Sequence, residues 1–272
     1  MKLALVQQPA TEDLKANRST GLEAVRQAAA QGANVVCFAE LAFDPFYPQM
    51  HATEETLALA EPIPGPTTDA FSKLAAELSV VIILNIFERD GDRTYDTSPV
   101  IDADGSILGK TRMVHITDYQ WFHEQGYYAP GDTGAPVYET RFGRIGVAIC
   151  YDRHFPEYMR ALVLNNAQLV VVPQAGAVGE WPDGLFEAEL RVASFQNGYY
   201  SALCNRVGPE PKVEFAGQSF ICDPEGNVIA QAGEGTQEIL LADLDFANVE
   251  SSHAAKLFLQ DRRPELYREW LS

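Results

Sequence analysis

Gly143-Arg144-Ile145-Gly146-Val147-Ala148-Ile149-Cys150-Tyr151-Asp152-Arg153-His154-Phe155-Pro156-Glu157 is the stretch on which the fold turns. A tight turn at Arg141–Arg144 leads into the strand Ile145–Ile149, then a thiol, a polar turn, and a proline suited to the first turn of a helix over 155–165. A short strand of this kind, without polar interruption, reads as buried on both faces of a sheet. Strand, turn and helix make an α/β unit, and such folds collect ligands at the carboxyl ends of their strands. Cys150 stands at that place, where the N–H groups that follow can face a developing oxyanion. Position alone divides evenly between a nucleophile and one more core cysteine, which behaves as a small hydrophobe.

The same pattern extends outward. Residues 2–7 read as a buried strand, and the segment from Thr11 to Ala30 as a helix ended at Gln31-Gly32. Asn34–Ala39 is a second buried strand, with the aromatic loop Phe43–Pro48 leaving its carboxyl end. Pro62 and Pro66 break the chain before a helix at about 67–78 and a strand at Val80–Asn85. Asp102-Ala103-Asp104-Gly105 marks a hairpin turn between Ser98–Ile101 and Ile107–His115. Beyond Cys150 follow strand 169–173, helix 184–197, strand 200–205 and a second hairpin turn at Asp223–Asn227. The strand–helix–strand series thus occurs twice, as expected of an α/β chain whose helices cover the outside of two packed sheets. Residues 1–250 read as one domain and 251–272 as a helical tail or oligomerisation arm.

Composition narrows the function. With 272 residues, 46% of them hydrophobic, the chain can bury a sizeable core. A net charge of −18 argues against nucleic acid and against anionic membrane surfaces, both of which select clustered Lys and Arg. The apolar run at the N-terminus stops at Gln7, and no window reaches the ~18 apolar residues of a spanning helix. Cys37, Cys150, Cys204 and Cys222 lie far apart with no C-x-x-C pair. A reduced, cytoplasmic protein without disulfides or structural zinc is expected.

Two acids stand out beside Cys150. Glu40 ends the apolar run Val35–Ala39 at a strand's carboxyl end. A buried glutamate has its pKa raised by desolvation, which suits a general base for a thiol, although a carboxylate there can also cap a loop backbone. Glu124 lies in the aromatic stretch Tyr119–Tyr128 and, by itself, reads as a surface or network residue.

Together these motifs resemble the nitrilase superfamily of carbon–nitrogen hydrolases, over about residues 2–245. The resemblance rests on Val36–Leu41, Gly143–Glu157, Glu124-Gln125-Gly126-Tyr127-Tyr128-Ala129-Pro130-Gly131-Asp132, Ala188–Asn197 and Cys204–Gly208. It implies a four-layer αββα sandwich and hydrolysis of an amide or N-carbamoyl C–N bond through a Cys150 thioester. Glu40 would be the base, Glu124 a second glutamate, and the Tyr151 backbone N–H an oxyanion donor. It also implies a homodimer or higher oligomer paired across the helix after Cys150, and an Arg153 that holds a substrate carboxylate. An ion pair of Arg153 with Asp152 or Glu157 is the alternative. No cofactor and no metal is expected, since the five histidines show no ligand spacing.

One position departs. The superfamily's lysine falls in an Arg-Lys-x-His-type stretch, and this chain reads Arg112-Met113-Val114-His115. Met113 therefore occupies the lysine slot. Strand alternation puts Lys110 on the opposite face and His115 on the face of Met113. Either a bulge turns Lys110 inward, or His115 with Glu124 supplies the donor, or the chain is a scaffold that binds an amide or carboxylate metabolite without turnover.

Overall fold

The computed structural model describes residues 1–270. Parallel strands Lys2–Gln7, Val35–Phe38 and Val81–Ile83 form the middle of one sheet. Glu238–Asp243 pairs antiparallel with the first of them, and a ribbon of Ile86–Asp90, Arg93–Ile101 and Ile107–Arg112 extends the far edge. The second sheet repeats the plan. Its parallel strands Gly143–Val147, Leu169–Gln174 and Tyr200–Asn205 are flanked by antiparallel Val137–Thr140 and by the hairpin Phe220–Cys222 with Val228–Gln231.

Every residue of Val35–Phe38, Val81–Ile83 and Leu169–Gln174 is buried, because both sheets are covered on both faces. Between the sheets, Leu5, Val35, Cys37 and Val81 pack on Ile145, Val171, Ala202 and Cys204. On the outside of the first sheet, Val25, Phe71 and Leu74 belong to helices Leu14–Ala30 and Pro66–Leu78. On the outside of the second, Met159, Leu162 and Leu190 come from helices Pro156–Leu164 and Leu185–Asn197. Helix, sheet, sheet, helix: this is the αββα sandwich. Helix starts follow local chemistry, with the Asp13 side chain accepting the Ala16 N–H at 2.9 Å and prolines opening the helices at 66 and 156.

Four departures from the sequence reading have physical causes. The strand Ile86–Asp90 has no periodic signal of its own because Ile86 and Phe87 prolong the apolar run of Val80–Asn85, and its partner begins at Arg93, five residues before the expected Ser98. Gly91, at φ +59°, makes the turn between them. Glu238–Asp243 finds its partner at the other end of the chain, beyond the reach of local periodicity. The strand before Cys150 stops at Val147, and Cys150–His154 forms a 3-10 turn. Finally, the strand Ile107–Arg112 ends three residues early, because the Val114 and His115 N–H groups donate to the Asp152 carboxylate instead of to a neighbouring strand.

In the tail, Ser252 and Ala254 are buried against the end of helix Leu185–Asn197, and Pro264–Trp270 is helical; residues 271–272 of the expected arm lie outside the described residues. All four cysteines are free and buried. Among the described residues no helix is long and apolar enough to cross a membrane.

Candidate active site

Three segments distant in sequence meet at one end of the inter-sheet core. Glu40 follows the strand Val35–Phe38, and the next residue, Leu41, turns at φ +44°. The Leu41 N–H donates to Asn85 Oδ1 at 2.8 Å, while the buried Arg206 guanidinium donates to the Glu40 and Leu41 carbonyls. Cys150 also sits at φ +44°, and Arg153 Nη1 donates to its carbonyl at 2.9 Å. A left-handed non-glycine residue costs on the order of 1–3 kcal/mol and persists where its surroundings hold it. Here two buried arginines clamp the carbonyls of both turns. Glu124 opens the 3-10 turn Glu124–Gly126, its carbonyl accepting the N–H groups of Tyr127 and Tyr128 at 2.8 and 2.9 Å.

The thiol sulfur of Cys150 and a carboxylate oxygen each of Glu40 and Glu124 lie within 4.8 Å of one another, all buried. Burial and the charge of Glu124 raise Glu40 to about 7, with neighbouring Asp96, Cys150 and Arg206 opposing. Burial and then the charge on Asp96 hold Glu124 well above the usual carboxylate range. Burial, then Glu40 and Glu124, push the Cys150 thiol up, with Arg153 opposing. The result is a protonated thiol beside a carboxyl poised near neutrality, the arrangement in which a general base takes a nucleophile's proton.

Asp96 is the residue that the sequence reading missed. It lies on Arg93–Ile101, is buried within electrostatic reach of Glu40, and accepts from Asn85 Nδ2. Alternation back from Ser98 puts it on the same face, and Asn85 touches both. The expected strand start at Ser98 falls two residues short of it.

Met113 is buried in the core that also contains Cys150, and its N–H donates to the Asp96 carbonyl at 2.9 Å, so the two stand opposite each other across the ribbon. Lys110 does not turn inward: it pairs with buried Glu88 on the other face, as does Arg112. Nor does His115 join Glu124. With the strand ended at Arg112, its ring stacks on Phe155 at 3.5 Å and its Nδ1 meets Asp152 Oδ1 at 2.7 Å. The ion pair of Arg153 is with Glu189 (3.2 Å), neither Asp152 nor Glu157, and its Nη1 also bonds Gln174 Oε1 at 2.6 Å. Those contacts prop the Cys150 turn, while Arg153 Nη2 is buried without a hydrogen-bond partner. His154 turns away from the thiol to Glu189.

The family model described as carbon-nitrogen hydrolase matches residues 2–254. The chain belongs to the carbon–nitrogen hydrolase family. This carbon–nitrogen hydrolase is 35% identical to the N-carbamoylputrescine amidase of Solanum lycopersicum over 285 residues, covering 99% of this chain and 94% of that one. Among solved structures, a carbon–nitrogen hydrolase from Helicobacter pylori G27 superposes with a TM-score of 0.94 at 28% identity, covering 100% and 98% of the two chains. A mutant amidase from Nesterenkonia sp. AN1, with the acetamide moiety of fluoroacetamide added covalently at its active-site cysteine, gives 0.84 at 25% identity, covering 99% and 96%.

Proposed function

We propose that this hydrolase cleaves the C–N bond of a small amide or N-carbamoyl compound through a thioester on Cys150. The observation that carries the reading is the meeting of the Cys150 thiol with Glu40 and Glu124 within 4.8 Å in a buried site. Glu40 takes the thiol proton as the sulfur attacks the carbonyl carbon. The Tyr151 N–H faces the oxygen of the tetrahedral intermediate, ammonia or an amine leaves with a proton, and Glu40 or Glu124 directs water onto the thioester.

The test is intact-protein mass spectrometry after exposure to a panel of small amides and ureas, alongside turnover. Cys150→Ala should remove both adduct and turnover, by at least about 10⁴-fold, with the melting temperature nearly unchanged because one small atom is lost. Turnover at the wild-type rate in that variant sinks the assignment.

A second reading has its own observation. Met113 in place of a cation favours a scaffold that binds an amide or carboxylate without hydrolysing it. Reduced thiols fit a cytoplasmic setting, and the exposed face of Pro156–Leu164 and Leu185–Asn197, with residues 251–272 as an arm, would serve a homo-oligomer. Light scattering of the chain with and without those last residues tests the latter.

A further inference from the structure

The active site holds more acid than a neutral amide requires. Glu40, Glu124 and Asp96 are all buried, and both oxygens of each glutamate and Asp96 Oδ2 lack a protein donor. Asp96 is raised by burial first and then by the charge of Glu40, so the group holds protons for want of a counter-charge. Arg206 and Arg153, the opposing charges within reach, are already engaged, Arg206 by Glu210 and the Glu40 and Leu41 carbonyls, Arg153 by Glu189, Gln174 and the Cys150 carbonyl. Where a cation would neutralise the group, the chain has Met113, directly across the ribbon from Asp96.

A second observation comes from a group that is not an acid. The Tyr128 hydroxyl is buried with no protein partner, and it lies in the field of the same three carboxyls. A neighbouring cavity is largely acidic and aromatic. Tyr119 and Glu180, both within electrostatic reach of Cys150, line about 360 Å³ with Trp121, Phe122 and Glu214, and with Lys212 lying over the Trp121 ring. Carboxylates and aromatic faces together favour a flat organic cation.

We infer that the carbon attacked by Cys150 belongs to a cationic C–N group, an amidinium or guanidinium, whose own charge replaces the missing lysine. The inference rests on the thiol reading above and deepens it. A lysine stabilises the oxyanion formed from a neutral amide, but attack on an amidinium yields a neutral carbon bearing two amino groups, so no oxyanion forms in that step. The carboxylates accept the substrate's N–H groups, and Glu40 takes the thiol proton. That proton returns to one nitrogen, the C–N bond breaks with its electron pair going to nitrogen, and ammonia leaves a cationic thioimidate on sulfur. Water, losing a proton to Glu124, adds to the same carbon, and the C–S bond breaks with its pair returning to sulfur. In sum, amidinium and water become amide and ammonium, with a urea in place of the amide when the substrate is a guanidinium.

The experiment compares acetamidine and methylguanidine with their neutral counterparts acetamide and methylurea, by ammonia release and intact mass, with and without a chelator. The expected result is a kcat/KM at least tenfold higher for the cation of each pair. Asp96→Asn, nearly isosteric, should cut that preference by tenfold or more, and Met113→Lys should invert it; melting curves check that each variant folds. A preference for the neutral member in the wild type, or turnover of neither with Cys150 still alkylated by fluoroacetamide, overturns the cationic substrate and leaves the thiol reading standing. No adduct on Cys150 from any compound overturns both. Activity lost to chelation and restored by zinc alone overturns the proposal in favour of a metal on the three side chains.

Discussion

The ribbon Ile86–Arg112 carries buried acids on both faces and treats them in opposite ways. On one face, Glu88 accepts from Thr97, Lys110 and Arg112, with Arg112 also reaching Asp90 and Asp132. Burial raises its pKa, but those donors outweigh burial and hold the carboxyl below its ordinary 4.5. On the other face, Asp96 joins Glu40 and Glu124 without a cation, and all three are raised. Burial is common to both faces, so the difference lies in pairing. A buried carboxylate ionises when charged donors replace its water and keeps its proton when none do. The paired face is a structural joint, and the unpaired face is a site waiting for charge.

Removing the cation from the paired face should have the largest effect on stability. Arg112→Met leaves Glu88 buried with one half-exposed lysine, and breaking such a pair from one side costs about 3–5 kcal/mol. Chemical denaturation measures it, and a loss under ~1 kcal/mol would erase the contrast between the faces. Adding a cation to the unpaired face is the converse experiment. Met113→Lys should lower the apparent pKa of the acid group and raise turnover of simple amides by about 10²–10³, the worth of one oxyanion donor. An unchanged rate and pH profile would mean that residue 113 does not reach the acids.

The two faces should also give stability opposite pH slopes. Native Glu40 keeps its proton up to about 7 whereas the unfolded chain releases it near 4.5. Its contribution is therefore full below 4.5 and is lost as pH rises through 7, on the order of 3 kcal/mol in all. Glu88 runs the other way, its contribution present above 4.5 and lost as pH falls. Urea titrations from pH 4 to 8 should show Glu40→Gln with a flatter decline than the wild type. An identical slope would show that Glu40 is ionised in the native protein. The smallest effect belongs to Lys110→Met. Its ammonium is partly exposed and Arg112 remains on Glu88, so about 1 kcal/mol or less is expected, weakening further in salt.

Much of this was legible from residue order. Buried strands announce themselves as apolar runs, and the turn chemistry of Asp102–Gly105 and Asp223–Asn227 set the hairpins. Alternation over Lys110, Arg112 and Met113 separated the face that pairs with Glu88 from the face that holds Met113. These are short-range properties, written by side-chain period and backbone preference within a few residues. His115 shows where the rule ends. Alternation assigned it to the site, but the strand stopped at Arg112 because Asp152, from the 3-10 turn Cys150–His154, took the next two N–H groups.

The sequence by itself determined the layered fold, the turn that presents Cys150 and the methionine at position 113. Tertiary structure alone decided that Asp96 joins Glu40, that Arg153 and Arg206 are engaged by Glu189, Glu210 and backbone carbonyls, and that Glu124 is a buried neighbour of the thiol instead of a surface acid. The reason is the range of the forces. Periodicity acts between neighbours along the chain, whereas the charge state of a dry site is a sum over every group that the fold brings near it, whatever their separation in sequence.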